Sequence, residues 1–163
     1  MAFDPGNVCC SNVACALVKV EGVGWEKLPH QTEIGFSSTA STTGVVTSDT
    51  SGRESKACGT VATTGTIGLA CHDGDQARFA INTRYLLRFA RNCDIIWEAG
   101  SGSDEYGSPI ASPTGDYWEG LVLITSEPMT LNISASDTPI VVYAWELDGD
   151  WIAEPDTIVP DIT

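Results

Sequence analysis

Residues 139–147 read PIVVYAWEL and residues 118–125 read WEGLVLIT. In the first stretch Val141, Tyr143, Trp145 and Leu147 share one parity, while Ile140, Val142 and Ala144 share the other. Successive side chains of a strand point to opposite faces, so a strand that is apolar at both parities is expected to be covered on both sides. The cover would be a second layer of sheet or a subunit contact. These two runs set the class: mainly β, an antiparallel β-sandwich or barrel with at most one short helix.

The rest of the chain carries similar signals. Ala16–Glu21 (ALVKVE) and Trp25–Leu28 flank Gly22-Val23-Gly24, the composition of a hairpin. Residues 37–44 (SSTASTTG) are small and polar and are expected as a loop or a solvated edge. A short strand at 45–47 and a turn at 48–52 follow. From Thr60 to Cys71, Val61, Ile67, Leu69 and Cys71 share a parity, and His72–Asp75 closes the run as a turn. Residues 76–91 admit two readings. Arg84, Arg88 and Arg91 at i, i+4 and i+7 fit a short helix, whereas Tyr85, Leu87 and Phe89 facing inward fit a strand. The expectation is a helical turn at 76–82 followed by a strand. One β-domain is expected over 1–163, with an N-terminal arm at 1–16, a long Gly/Ser/Pro loop at 99–116 and an extended acidic tail at 152–163.

With 163 residues and a 42% apolar share, the chain can bury a core. Its formal charge of −14 is one-sided. Residues 1–91 hold all eight cations (Lys19, Lys27, Arg53, Lys56, Arg78, Arg84, Arg88, Arg91) and eight acids, while residues 92–163 hold fourteen acids and no Lys or Arg. Such a surface repels anions, which disfavours nucleic-acid binding through phosphate contacts. No run approaches the roughly 20 apolar residues of a membrane helix. Met1–Gly6 lacks a basic start followed by a long apolar run, so no export signal is expected.

Few residues point to chemistry. The six cysteines (Cys9, Cys10, Cys15, Cys58, Cys71, Cys93) leave three readings open: buried free thiols, disulfides formed after release from the cell, or a metal site. Cys58 and Cys71 are expected as small buried hydrophobes at strand ends. Asp73-Gly74-Asp75 and Asp148-Gly149-Asp150 lack the spaced acids of a calcium loop and read as turns. His30 and His72 have no Gly-x-Ser-x-Gly elbow to work with, and Asn132-Ile133-Ser134 without export is a chance sequon. No catalytic residue, cofactor or metal ligand is assigned, and no enzyme is expected. The five tryptophans (Trp25, Trp97, Trp118, Trp145, Trp151) are either interface aromatics or peripheral core.

The order of these pieces resembles a phage tail tube (major tail) protein. The resemblance is carried by LVKVEGVGWEKL (17–28), VVTSDTSGRE (45–54), GTIGLACHDGD (65–75), GLVLITS (120–126) and TPIVVYAWELDGDW (138–151). It implies a structural virion protein made in the host cytoplasm. Its subunits would form a homo-oligomer, six-membered rings stacked into a hollow tube beside other phage virion proteins, with DNA passing along an acidic channel. An acidic wall avoids ion-paired sticking points for DNA, without sequence-specific binding and without a membrane. The neutral half, with Arg84, Arg88 and Arg91, would carry ring-to-ring contacts. The chain departs from the family in its six cysteines and in the weak helix signal at 76–91. The alternatives are a capsid decoration or cement protein, and a small carbohydrate-binding β-sandwich.

Overall fold

A computed structural model describes residues 13–46, 52–70, 78–100, 107–128 and 140–162. The expectations for Cys9, Cys10, Cys71, His72, the first Asp-Gly-Asp turn and the Asn132 sequon fall outside the described residues.

The fold is mainly β. Its strands are β1 (Cys15–Val20), β2 (Gly24–Lys27), β3 (Gln31–Val46), β4 (Glu54–Ala70), β5 (Arg84–Ala90), β6 (Trp97–Glu98), β7 (Ser108–Pro109), β8 (Tyr117–Ser126) and β9 (Ile140–Leu147), with a single 3-10 turn at Cys93–Ile95 among the described residues. Seven strands form one antiparallel sheet in the order β2-β1-β5-β8-β9-β4-β3, and β6 pairs with β7 in a separate ribbon. Cys15 and Ala16, assigned from sequence to the end of an arm, are the first two residues of β1.

The sheet curls onto itself. Phe36 on β3 lies 5.2 Å from Trp118 and 6.0 Å from Phe89, between ring centroids, although β3 is remote from β5 and β8 in the strand order. At the seam a side chain replaces a ladder. The Ala16 amide donates to Gln31 Oε1 at 2.7 Å, while Gln31 Nε2 donates to the carbonyls of Ala16 (2.9 Å) and Leu28 (2.7 Å). Buried backbone groups are nearly always paired, and Gln31 adds partners here, its bond to the Ala16 carbonyl joining one from the Leu28 amide at 3.2 Å.

Alternation sorts the side chains to two faces. The concave face gathers Leu28, Ile67, Leu69, Phe79, Leu87, Phe89, Val122, Ile124, Val141, Tyr143 and Trp145. On the opposite face Cys15, Leu17, Ala90 and Ile96 form a second cluster with Trp25, Trp97 and Tyr117 against them. The strand reading of 84–90 therefore holds, with Tyr85, Leu87 and Phe89 inward. Described residues 78–83 form no helix; Ile81-Asn82 is a turn, and Asn82 takes φ 62°, the left-handed conformation.

Of the two readings of residues 37–44 the solvated edge holds: they belong to β3, the exposed edge strand of the sheet, where threonine and serine pair across β3 and β4. Ser38 Oγ and Thr63 Oγ1 lie 2.7 Å apart, and at the irregularity between Ala40 and Thr42 the Thr60 amide donates to Ser41 Oγ at 3.0 Å. The strand placed at 60–71 begins at Glu54, and Val61, which shares parity with Ile67 and Leu69, is 68% exposed beyond the end of the core. Within the subunit, the strand at 139–147 is buried on one face only. Val141, Tyr143 and Trp145 are in the core, Val142 and Ala144 are half-buried, and Ile140 is exposed.

Candidate assembly surfaces

The most prominent surface is the outer part of the β3–β4 hairpin. Ser37–Val46 and Glu54–Ala62 are exposed at both parities, so neither face of this ribbon rests on the core. β9 pairs with β4 only over Thr64–Ala70, and β4 pairs with β3 out to Val46–Glu54. The ribbon therefore leaves the sheet where β9 gives way to the Asp148-Gly149-Asp150 turn. It carries exposed Val45, Val46 and Val61 and the free, exposed thiol of Cys58. Cys58 is thus not the buried hydrophobe expected from its sequence context.

The sheet also ends in two unlike strands, the short β2 and the long β3. Unpaired N–H and C=O groups on such edges are templates for another chain.

Three cations of the neutral half are tied to acids of the other half. Arg88 faces Glu119 across the β5–β8 register, with Nη2 to Oε1 at 3.1 Å; the two side chains are 7% and 14% exposed. The guanidinium also donates to the Ile110 carbonyl at 3.3 Å and stacks 4.2 Å from the Trp25 ring, while Nε is buried with no hydrogen-bond partner among the described residues. Arg84 Nε bonds Asp148 Oδ2 at 2.6 Å. Arg78 donates to both oxygens of Glu127, at 2.8 and 3.3 Å, and Tyr143 donates to the same carboxylate at 3.4 Å. The hydrogen bond to Glu127, then its charge, raises the Arg78 pKa. Burial, then the Glu127 charge, raises that of Tyr143. Asp148 is thus an ion-pair partner at a turn, and no group of His, Cys, Asp or Glu among the described residues is arranged to hold a metal ion.

Of the arginines expected at ring-to-ring contacts, Arg84 and Arg88 are ion-paired inside the subunit, Arg88 buried and Arg84 still exposed. Arg91 differs. It is exposed, lies 5.3 Å over the Trp118 ring and forms no ion pair among the described residues. None of the five tryptophans is exposed: Trp145 is in the core, Trp118 and Trp151 pack against it, and Trp25 and Trp97 line the opposite cluster. The peripheral-core reading describes them. Cys15 and Cys93 form a disulfide, with Cα atoms 5.1 Å apart across 78 residues of sequence. No local spacing signalled it; only the alignment of β1 with the end of β5 brings the two together.

No family model matches this chain, and no characterised protein matches it by sequence. Among solved structures it is similar to a chain from the tail of an empty GTA (gene transfer agent) particle, obtained by helical refinement with C6 symmetry. Identity is 13% and the TM-score 0.55, over 87% of this chain and 95% of the other. The likeness is one of fold.

Proposed function

We propose that this chain is a structural virion protein, a tail tube subunit that self-associates into rings stacked around an acidic channel for DNA. The observation that carries the reading is the exposed β3–β4 ribbon on a sheet whose two terminal strands are unlike. A two-stranded hairpin standing alone is marginal in water, so a ribbon of this length is expected to be covered by other subunits. Edge-to-edge contact between unlike edges is heterologous, and such contacts close into rings or continue as filaments. The fold likeness to a tail particle supports the same reading, and the proposed ring number of six follows that neighbour's symmetry by analogy.

The charge fits transit. Asp94, Glu98, Asp116, Glu146 and Asp150 are exposed and in no ion pair among the described residues. Arranged on an inner wall, they would repel DNA phosphates. The reading places the protein in the virion and gives it no catalytic role.

Negative-stain microscopy of the purified chain at raised salt or with a divalent cation tests this, because cations screen the acids and permit stacking. Rings or tubes are expected, and a variant with residues 38–62 replaced by a tight turn should fold without forming them. Discrete trimers would move the assignment to a capsid decoration protein. Strict monomers that bind glycans would overturn both.

A further inference from the structure

Beside the seam where the sheet curls closed lies an open crevice of about 250 Å³. Its floor is apolar, formed by Ile34, Phe36, Phe89 and Trp118, with Ala14 on one side and the Arg91 guanidinium on the other. The volume falls below the roughly 300–1,000 Å³ of small-molecule sites. It suits one or two aliphatic side chains held beside a negative charge.

The chain itself displays such a group. After the Trp151 ring, which packs against Phe36 and Phe89, the backbone is fastened to β8, with the Glu119 amide donating to the Ala153 carbonyl at 2.8 Å. Beyond it Ile158, Val159 and Ile162 are 71%, 85% and 91% exposed, in a segment with acids and no cation. Isolated exposed apolar residues are ordinary, but three aliphatics at this exposure within five positions form a strip.

We propose that residues 154–162 of one copy dock in this crevice on a second copy, with Ile158 on the aromatic floor and Asp156 against Arg91. In an extended chain residues i and i+2 lie on one side about 6–7 Å apart, which seats the two side chains together. Pro155 and Pro160 bracket the segment and restrict it before binding, so less entropy is lost on docking. Charge complementarity gives the direction: the segment supplies the acids, and Arg91, in no ion pair among the described residues, is the cation that lines the crevice. Because each copy owns both halves, the contact is heterologous and propagates from subunit to subunit. The proposal rests on the self-assembly reading above.

The test uses a fluorescent peptide of residues 154–162 titrated onto the full-length protein by anisotropy, with microscopy of the same samples. Saturable binding is expected, weakened about tenfold or more by Arg91→Glu and by blocking the crevice with Ala14→Trp, and unchanged by Lys19→Glu. Circular dichroism shows whether each variant is folded; should Ala14→Trp fail to fold, Arg91→Glu at the exposed rim decides. In the full chain Ile158→Asp should lower assembly to a similar degree. If wild-type protein assembles while the peptide fails to bind both it and protein truncated after Pro155, or binds Arg91→Glu equally well, the docking is overturned and the assembly reading stands. If the peptide binds as expected and no rings or tubes form, the docking stands and the tube reading fails. Binding only to protein truncated after Pro155, in samples that microscopy shows to be monomeric before truncation, would mean that the tail occupies its own crevice, which overturns docking between copies.

Discussion

Arg88 and Glu119 face each other across the β5–β8 register at 3.1 Å, joining the half of the chain that holds every cation to the half that holds none. Both side chains are largely buried, so removing one partner strands the other charge. Glu119→Gln should cost about 3 kcal/mol in urea unfolding. The double change Arg88→Met with Glu119→Leu should cost much less, because no charge is then left unpaired. Equal losses in the two variants would contradict this account of the pair.

The Cys15–Cys93 bond closes a long loop, with 78 residues of separation. In the chain-entropy account a loop of that size contributes about 4–5 kcal/mol through the unfolded state. Thermal melting with and without reductant should show a large drop in Tm. Alkylation of the native protein followed by mass measurement should modify Cys58 and leave Cys15 and Cys93 unmodified; modification of the latter two would exclude the bridge.

Trp145 and Val142 lie on opposite faces of the same strand. Trp145→Asp places a charge in the aromatic core, where Phe89 stacks on the indole at 5.4 Å, and should abolish folding. Val142→Asp changes a half-buried position and should leave a folded subunit by circular dichroism. A folded Trp145→Asp protein would sink this assignment of faces.

Gly65 and Gly35 provide a matched pair on adjacent strands. A Cβ at Gly65 would meet the Trp145 indole and the Gly35 carbonyl, whereas one at Gly35 finds nothing nearer than Thr66 Oγ1 at 3.9 Å. Gly65→Ala should therefore destabilise by about 1–3 kcal/mol, and Gly35→Ala should stay close to wild type in Tm.

Tyr143 has its pKa raised by burial first and by the Glu127 charge second. The folded state then holds the phenolic proton more tightly than the unfolded state, so ∂ΔG/∂pH is negative in this range. The contribution is fully present below the unfolded value of about 10 and is lost as pH rises through the folded pKa. Unfolding free energies measured from pH 9 to 11 should fall more steeply for wild type than for Tyr143→Phe. Identical slopes would remove Tyr143 as the cause.

Local chemistry made the β class legible. Period-two alternation marked β4, apolar runs marked β8 and β9, the two glycines of Gly22-Val23-Gly24 marked the first hairpin, and Tyr85, Leu87 and Phe89 marked the inward face of β5. Alternation defines two faces without saying which is buried, because burial depends on what packs across the sheet; Val142 shows this. It also does not say where the core ends, so Val61 shares the parity of Ile67 and stands in solvent. The small polar run at 37–44 has no apolar signal and is strand through its backbone register with β4, with hydroxyl contacts at Ser38 and Ser41. Net charge is a property of composition, readable at once as −14 and one-sided. Its pairing is a property of contact. The strand order interleaves the two halves, placing β8 and β9 between β5 and β4, and this lets Arg78, Arg84 and Arg88 reach Glu127, Asp148 and Glu119. The disulfide, the crevice beneath Arg91 and the freestanding ribbon arise in the same way, from residues that only the curled sheet brings together or leaves apart.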